Sequence, residues 1–471
     1  MQLLRPFQSE GRDYLFNGST HGLLSLDRVG RAVVDYHMQH GGADPETIRA
    51  ALSSRFTATE LDAALLEITE EGVFGAAPAG PPAPTRQLPL STMVLHVAQD
   101  CNLSCTYCYA DEGQYGGPKK LITAETASQS LDFLLASTND KVHVTFFGGE
   151  PMMNWPVMEQ VILEGEIKAK ALGKKIDFSF TTNATLLTEE RVDFLSEHRV
   201  GVSVSMDGPP DIHDANRPYK NSGGMGSYAM IEPKVKMLLA RHKTRPVGCR
   251  VTVMHDRADV VRIFDHLYEM GFAEVGLSPV TSPSDSIFLH PHEMDQVLAG
   301  LKILAERTLQ HALKDEFIGF SNITNLWQEL HAGLRKTYAC GAGLGLLSVS
   351  VDGKIYLCHR FNGVEGFQFG DLGAGVDWEA LQPFMAKVHV DAKEPCSTCW
   401  AKHVCGGGCY YEALTRLGDA TVSNSHYCSF VQAWIDIGLE TYARLWEGNP
   451  DFFDKLAPRK PMEAVWPGGK E

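Results

Sequence analysis

The chain has 471 residues, more than one ordinary domain needs, and its 44% hydrophobic content can form more than one core. With 42 basic and 58 acidic residues its net charge is −16, which argues against non-specific nucleic-acid binding because that needs basic patches. The N-terminus lacks a signal-peptide apolar stretch, and no run approaches the roughly 20 apolar residues of a membrane span. We therefore expect a soluble, cytoplasmic protein that binds neither nucleic acid nor membrane.

Residues 1–75 predict a small separate module. Apolar residues at 14–16 and 23–26 predict a short hairpin. Asp44 is a helix N-cap followed by proline, and Thr57 opens a capping box before an amphipathic stretch. A hairpin with three helices resembles the winged-helix peptide-recognition elements of peptide-modifying systems. An unrelated docking or structural domain remains an alternative, because fold does not fix function.

The middle of the chain predicts an α/β domain. Residues 76–90 are rich in alanine and proline and predict an extended linker. Strand-like apolar runs then follow at 93–97, 142–147, 177–182, 201–206, 248–254 and 274–279. Helical stretches between them include 128–135, 157–172, 189–197, 231–241 and 260–270. This alternation predicts six parallel units of an incomplete barrel over residues 91–300, with the site at the C-terminal strand ends, followed by a helical connector over 301–339.

Three cysteines directly after the first of these strands have the spacing C-x3-C-x2-C: Cys101, Cys105 and Cys108. Iron–sulfur cubes are normally held by four cysteines, so three thiolates leave one iron free to bind something other than protein. The pattern therefore indicates a catalytic cluster. The alternatives are a chance grouping or a zinc knuckle, but zinc prefers paired CxxC or Cys/His sets, and no such partner lies near residue 101.

This pattern resembles the radical S-adenosylmethionine (SAM) enzymes. In that family the open iron chelates the methionine end of SAM, and one electron cleaves the sulfonium to a 5′-deoxyadenosyl radical. The resemblance implies that Tyr107 covers the cluster and contacts adenine through its backbone, although packing alone is an alternative. The segment Gly148-Gly149-Glu150-Pro151 follows the second strand and corresponds to the loop that binds the SAM amino group. Glycine permits close backbone approach, and a carboxylate can hold an ammonium group.

The same resemblance assigns further contacts at the ends of later strands. It implies that Asn183 and Ser205 lie near the SAM ribose and that Arg217 lies near its carboxylate. It implies an adenine contact for Leu277, for which core packing is an alternative. Asp207 is either a turn former or a ligand contact, because Asp-Gly is a common turn pair.

The C-terminal third carries a second set of cysteines: Cys340, Cys358, Cys396, Cys399, Cys405, Cys409 and Cys428. It resembles the SPASM domain, which holds two auxiliary four-iron clusters, here over residues 340–471 with a closing helix at 430–445. A zinc ribbon is an alternative that leaves three cysteines unexplained. The resemblance places Cys396, Cys399, Cys405 and Cys428 on the outer cluster, and Cys340, Cys358 and Cys409 on the inner one. The inner cluster then has either a non-cysteine ligand or an open iron that can bind a substrate thiolate.

The expected fold is therefore an α/β chain with a partial (β/α)6 TIM-like radical SAM barrel, an N-terminal winged-helix-like module and a C-terminal SPASM domain. Enzymes of this architecture modify ribosomally made peptides or proteins. The resemblance implies three [4Fe-4S] clusters, SAM, a peptide or small protein-subunit substrate and an electron donor such as flavodoxin or ferredoxin. Cys249 stands outside both sets and is expected to be a buried small hydrophobe.

The reaction expected from resemblance to the maturases of quinohemoprotein amine dehydrogenase is Cys-to-Asp/Glu thioether cross-linking in the small subunit of that enzyme. Sulfatase-maturing enzymes typically carry an acidic base after the cysteine that corresponds to Cys358, and here that residue is His359, which can also act as a catalytic base. Formylglycine formation is thereby less favoured. Carbon–carbon cross-linking, as in pyrroloquinoline quinone biosynthesis, stays open, as does a non-catalytic electron-transfer or scaffold protein.

Overall fold

This computed structural model describes residues 3–75, 80–282, 284 and 286–456, which contain two sheets, sixteen α-helices and three short 3-10 helices. The strands are β1 (Leu4–Ser9), β2 (Arg12–Asn17), β3 (Gly22–Leu26), β4 (Thr92–Gln99), β5 (Lys120–Leu121), β6 (Lys141–Gly148), β7 (Lys175–Thr182), β8 (Gly201–Ser205), β9 (Gly248–Val253), β10 (Glu274–Pro279), β11 (Leu346–Val349), β12 (Lys354–Tyr356), β13 (Gln368–Asp371) and β14 (Gly375–Val376).

The helices are α1 (Arg28–Gln39), α2 (Pro45–Leu52), α3 (Ala58–Glu70), α4 (Ala124–Leu135), α5 (Trp155–Ala171), α6 (Glu189–Glu197), α7 (Pro210–Asn216), α8 (Tyr228–Arg241), α9 (Val260–Met270), α10 (Pro291–Ala312), α11 (Ser321–His331), α12 (Trp378–Val388), α13 (Lys402–Cys405), α14 (Tyr410–Leu417), α15 (Ser425–Gly448) and α16 (Phe452–Lys455). No helix among the described residues combines the length and apolarity that crossing a membrane requires. Residues 80–90 contain neither helix nor strand, and the rest of the predicted linker lies outside the described residues.

The N-terminal module contains an antiparallel sheet in the order β1-β2-β3 and the helices α1 to α3. The predicted hairpin is β2-β3. The Asp44 side chain accepts a hydrogen bond from the Thr47 amide at 2.9 Å, and the capping box at Thr57 is present in full. These caps start α2 and α3 where the sequence predicts them, and Leu15, Val33 and other apolar residues form a separate core.

The large sheet has the strand order β10-β9-β8-β7-β6-β4-β11-β12-β13-β14, and β5 pairs with β4. The strands β4, β6, β7, β8, β9 and β10 pair in parallel and are the six predicted strands. Both ends of this path are edges among the described residues, so the sheet is open. The prediction of an α/β fold built on six parallel strands is confirmed.

A seventh parallel strand comes from the C-terminal part of the chain. In β11, Leu346 pairs with Thr92 of β4, in parallel register. The segment between Cys340 and Cys358 is thereby fixed beside β4, which leads into the loop of the first cysteine set. Helix α15, near the C-terminal end of the described residues, packs against the N-terminal module. There Arg5 forms a 2.7 Å ion pair with Asp436 of α15.

Candidate functional site

The loops after β4 and β6 meet in a close backbone contact at the C-terminal edge of the parallel sheet. The Gly149 amide donates to the Ala98 carbonyl at 2.9 Å, and the Glu150 amide donates to the Asp100 carbonyl at 3.0 Å. A Cβ on Gly148 would lie 2.1 Å from the Ala98 carbonyl oxygen, and one on Gly149 would lie 2.1 Å from that of Asp100. Only glycine permits this approach, so the two glycines form a cradle beside the cysteine loop.

The first three cysteines are half-buried on the loop that leaves β4. Burial raises the pKa of Cys101 to about 12 and that of Cys105 to about 11. The Thr106 amide donates to the Asn216 carbonyl at 3.0 Å, which ties this loop to the end of α7. Among the described residues, no three cysteine ligand atoms lie within 4.8 Å of one another.

Glu150 is a buried carboxylate that joins the ends of β6 and β7. It accepts hydrogen bonds from the Thr182 hydroxyl at 2.8 Å, the Asn183 amide at 2.8 Å and the Met152 amide at 3.1 Å. Burial raises its pKa. Three of its roughly four acceptor positions are thus engaged inside the protein. Glu150 fixes the loop and caps the 3-10 turn that begins at Pro151.

Asn183 and Ser205 lie at the C-terminal ends of β7 and β8. Asn183 donates to the Asn102 side chain at 2.9 Å and approaches the Cys101 sulfur at 3.7 Å, so it is held against the cysteine loop. Ser205 is half-buried. Leu277 is 2% exposed, and its backbone amide and carbonyl both bond the Asn322 side chain, which places it in the core. The SAM contacts assigned to these residues stay predictions.

Tyr107, Asp207 and Arg217 form a buried network behind Cys105. The Tyr107 hydroxyl donates to Asp207 at 2.8 Å and accepts from an Arg217 Nη. Burial raises the pKa of Asp207, and the Arg217 charge opposes that rise. The Arg217 Nε is buried without a hydrogen-bond partner among the described residues. A buried guanidinium N–H of this kind suits a carboxylate ligand. The sequence predicts either a turn former or a ligand contact at Asp207, and the structure places its carboxylate in this buried network.

The second set of cysteines falls into two electrostatic groups. Burial raises the pKa of Cys396 to about 11, and the other thiols that raise it further are Cys399, Cys405 and Cys428. Burial also raises the pKa of Cys358 to about 12, and the thiols that add to this are Cys340 and Cys409. Glycines allow the chain to wrap closely here, since a Cβ on Gly406 would lie 2.3 Å from the Tyr338 carbonyl oxygen. The donor set and its close wrapping fit two iron–sulfur groups.

His359, the residue after Cys358, lies close to the loops that surround the first cysteine set. Its ring centroid lies 4.5 Å from that of Phe147, the residue before the glycine cradle, and 6.5 Å from that of Tyr109. Arg360 covers the Tyr109 ring at 5.1 Å. Burial lowers the pKa of His359 to about 3, so its imidazole is neutral at physiological pH. Sequence reasoning did not identify Tyr109 or Arg360, because neither belongs to a spaced motif.

Cys249 is fully buried, and its thiol donates to the Met206 carbonyl at 3.3 Å, as expected of a small core residue. A further group of potential metal ligands, His255, His290 and Glu293, lies outside both cysteine sets. Glu293 accepts from the Asp256 amide at 2.8 Å and the His290 amide at 2.9 Å, so this carboxylate serves as a helix cap. Burial opposes its ionisation, but these bonds and His255 lower its pKa to about 2.

The chain is similar in sequence to known proteins. Residues 95–238 match the Radical SAM superfamily. The radical SAM cyclopropyl synthase TigE of Paramaledivibacter caminithermalis is 22% identical over 363 residues, covering 74% of this chain and 73% of that protein. A cysteine-type anaerobic sulfatase-maturating enzyme of Clostridium perfringens is 24% identical over 361 residues, covering 72% of this chain and 94% of the enzyme.

Structural comparison finds the same fold in solved proteins. The structure of native anSMEcpe with bound AdoMet matches 76% of this chain and 99% of that chain, with a TM-score of 0.65 and 21% identity. Streptococcus suis SuiB bound to precursor peptide SuiA matches 91% of this chain and 100% of that chain, with a TM-score of 0.53 and 13% identity.

Proposed function

We propose that this chain, which has the α/β radical SAM fold, is a radical SAM enzyme that modifies a ribosomally made peptide or protein. One observation carries the proposal: two cysteine-bearing segments converge on one edge of the sheet. The loop of Cys101 lies against the Gly148–Gly149 cradle, and His359, next to Cys358, packs on the residue before that cradle. The loop of Cys101 and the segment of Cys358 therefore lie at the same edge of the sheet.

The residues of the first set would hold a four-iron cluster with one iron open to SAM. When bound, that group supplies the one-electron cleavage of SAM that allows hydrogen abstraction from an unactivated carbon. Gly149 holds the loop after β6 against the cysteine loop, where the resemblance expects the SAM amino end, and the unpaired Nε of Arg217 suits the SAM carboxylate. Glu150 keeps the cradle in place through its three hydrogen bonds.

The reaction we propose is a Cys-to-Asp/Glu thioether cross-link, with the small subunit of quinohemoprotein amine dehydrogenase as the substrate. The resemblance assigns three cysteines to the inner cluster, and a substrate thiolate is the proposed fourth ligand in place of a non-cysteine ligand from the chain. A C–H and an S–H bond break and a C–S bond forms. The substrate loses one hydrogen atom, which the 5′-deoxyadenosyl radical would take, together with one proton and one electron. His359 is the base that the sequence predicts, but burial lowers its pKa to about 3 and makes it a weak acceptor for a thiol proton. Coordination of the substrate thiolate by the inner cluster would release that proton before the C–S bond forms. An auxiliary cluster would take the electron. The full set is three [4Fe-4S] clusters with a flavodoxin or ferredoxin donor.

Anaerobic co-expression with a cysteine-containing peptide substrate, followed by mass spectrometry, tests this function. We expect a loss of two hydrogens per cross-link and a cysteine that resists alkylation, both absent with a Cys101→Ser variant. A peptide that lacks cysteine and still loses two hydrogens would indicate carbon–carbon cross-linking instead. Formylglycine at the substrate cysteine would indicate sulfatase-type maturation, which His359 disfavours. Reduced protein that releases no 5′-deoxyadenosine would contradict the enzyme proposal and favour an electron-transfer role.

A further inference from the structure

Lys393 is a buried lysine beside the second set of cysteines. It is 2% exposed and lies three positions before Cys396. Its Nζ donates to the Gly407 carbonyl at 2.8 Å and lies 5.6 Å from the centre of the Tyr410 ring. In the described part of the chain, no carboxylate lies within 4.0 Å of this nitrogen. A buried ammonium without a counter-charge is costly, so the polypeptide alone does not explain this residue.

The groups that act most strongly on the charge of Lys393 are thiols, and the exposed carboxylate of Asp419 also interacts with it electrostatically without lying within 4.0 Å. Burial disfavours its charged form, and the residues that favour it are Cys396, Cys405, Cys409 and Cys428. Three of these belong to the outer cysteine group, and Cys409 belongs to the inner one. A four-iron cluster held by thiolates carries net negative charge and gains one more on one-electron reduction, and its reduction potential depends on nearby charge and hydrogen bonds. Lys393 thus lies where a cluster would supply the missing counter-charge.

We propose that Lys393 is the buried counter-charge of the outer auxiliary cluster and raises that cluster's reduction potential. The inference rests on the proposed function, which places iron–sulfur groups at these cysteines. A fixed positive charge favours the more negative, reduced form. Lys393 therefore acts through the cluster and does not touch the substrate. It makes the outer auxiliary cluster a better electron acceptor, and cross-link formation needs an auxiliary cluster in that role.

The test is a potentiometric titration of the anaerobically loaded full-length protein with dithionite, followed by EPR, together with iron and sulfide content. Lys393→Met removes the charge, Lys393→Gln keeps polarity, and Lys393→Arg restores the charge. Lys387→Met is the matched control, because Lys387 is an exposed lysine on α12. The cluster whose signal responds to SAM serves as the internal standard.

We expect both neutral variants to lower the reduced-to-oxidised ratio of one auxiliary cluster about tenfold at a fixed potential, which for one electron is about 59 mV. Lys393→Arg, Lys387→Met and the SAM-responsive cluster should stay at wild-type values. Neutral variants that lose auxiliary iron while Lys393→Arg retains it would also support the counter-charge role.

Full iron content with unchanged potentials in the neutral variants would overturn the proposal. Loss of iron in Lys393→Arg as well would also overturn it, because a packing role would then be sufficient. A wild-type protein with only about four irons per chain would instead contradict the auxiliary clusters themselves, and therefore the proposed function.

Discussion

Replacement of Gly149 by alanine would force apart the two loops that form the candidate SAM site. A Cβ at this position would lie 2.1 Å from the Asp100 carbonyl oxygen and 3.0 Å from the Cys101 amide nitrogen. Both are backbone atoms, so no side chain can rotate away from the clash. The loops must separate by about 0.9 Å, the difference between 2.1 Å and the 3.0 Å below which real Cβ contacts essentially never occur.

A misplacement of about 1 Å in a reacting site costs about 10²-fold in rate. We therefore expect Gly149→Ala to release 5′-deoxyadenosine about 100-fold more slowly than wild type, because SAM would be misplaced relative to the cluster. The assay is single-turnover cleavage of SAM by anaerobically reconstituted, dithionite-reduced protein, with iron content measured on the same samples.

Gly248→Ala is the matched control. Gly248 begins β9 at the opposite end of the parallel sheet, and a Cβ there would lie no closer than 3.5 Å to its nearest neighbour, the Ser203 hydroxyl oxygen. This variant should cleave SAM at the wild-type rate. A Gly149→Ala protein that cleaves SAM within threefold of wild type would refute the reasoning, because the contact would then not position the site.

Three further predictions concern single side chains. Arg217→Met should weaken SAM binding about 10- to 100-fold in equilibrium dialysis, as expected for loss of a hydrogen bond from a charged donor. The control variant Arg262→Met, at a surface arginine, should bind SAM normally. Equal SAM binding by the two variants would contradict the role assigned to Arg217. Cys409→Ser should lose about four irons per chain in a colorimetric assay, whereas Cys249→Ala should lose none. Glu293 has a pKa lowered to about 2 by hydrogen bonds that outweigh burial, so its stabilisation is full above about pH 4.5 and is lost as pH falls toward 2. Glu293→Gln should therefore unfold about 3 kcal/mol more easily in urea at pH 7, with a difference that shrinks in acid; a pH-independent difference would contradict this.

The fold was largely predictable because its strands are apolar runs and its helices carry strong caps. The predicted helices at 189–197 and 260–270 match α6 and α9, which begin after the capping side chains of Thr188 and Asp259. β1 was missed because Pro6 and its charged neighbour interrupt the apolar pattern, which an edge strand tolerates. β11 was missed because its four residues, which follow a glycine-rich turn, are too few to show an alternation of apolar and polar side chains. Its pairing with β4 is also a long-range contact that local sequence does not show.

The candidate site was predictable where chemistry repeats at fixed spacing, as in the cysteines and the glycine cradle. Residues without a spacing signal could not be assigned a role from the sequence. Asp207 shows its role only in the buried contact with Tyr107, and Lys393 resembles any surface lysine until its 2% exposure is known. Such side chains are defined by tertiary packing, which brings together residues far apart in the chain.

The central claim is that Cys101, Cys105 and Cys108 hold a cluster that cleaves SAM beside the glycine cradle. Release of 5′-deoxyadenosine from SAM by reduced, anaerobically reconstituted protein tests it most directly. The account predicts release by wild type and none by the triple serine variant with its auxiliary iron retained. Release by that variant at the wild-type rate, or none by iron-loaded wild type, would contradict it.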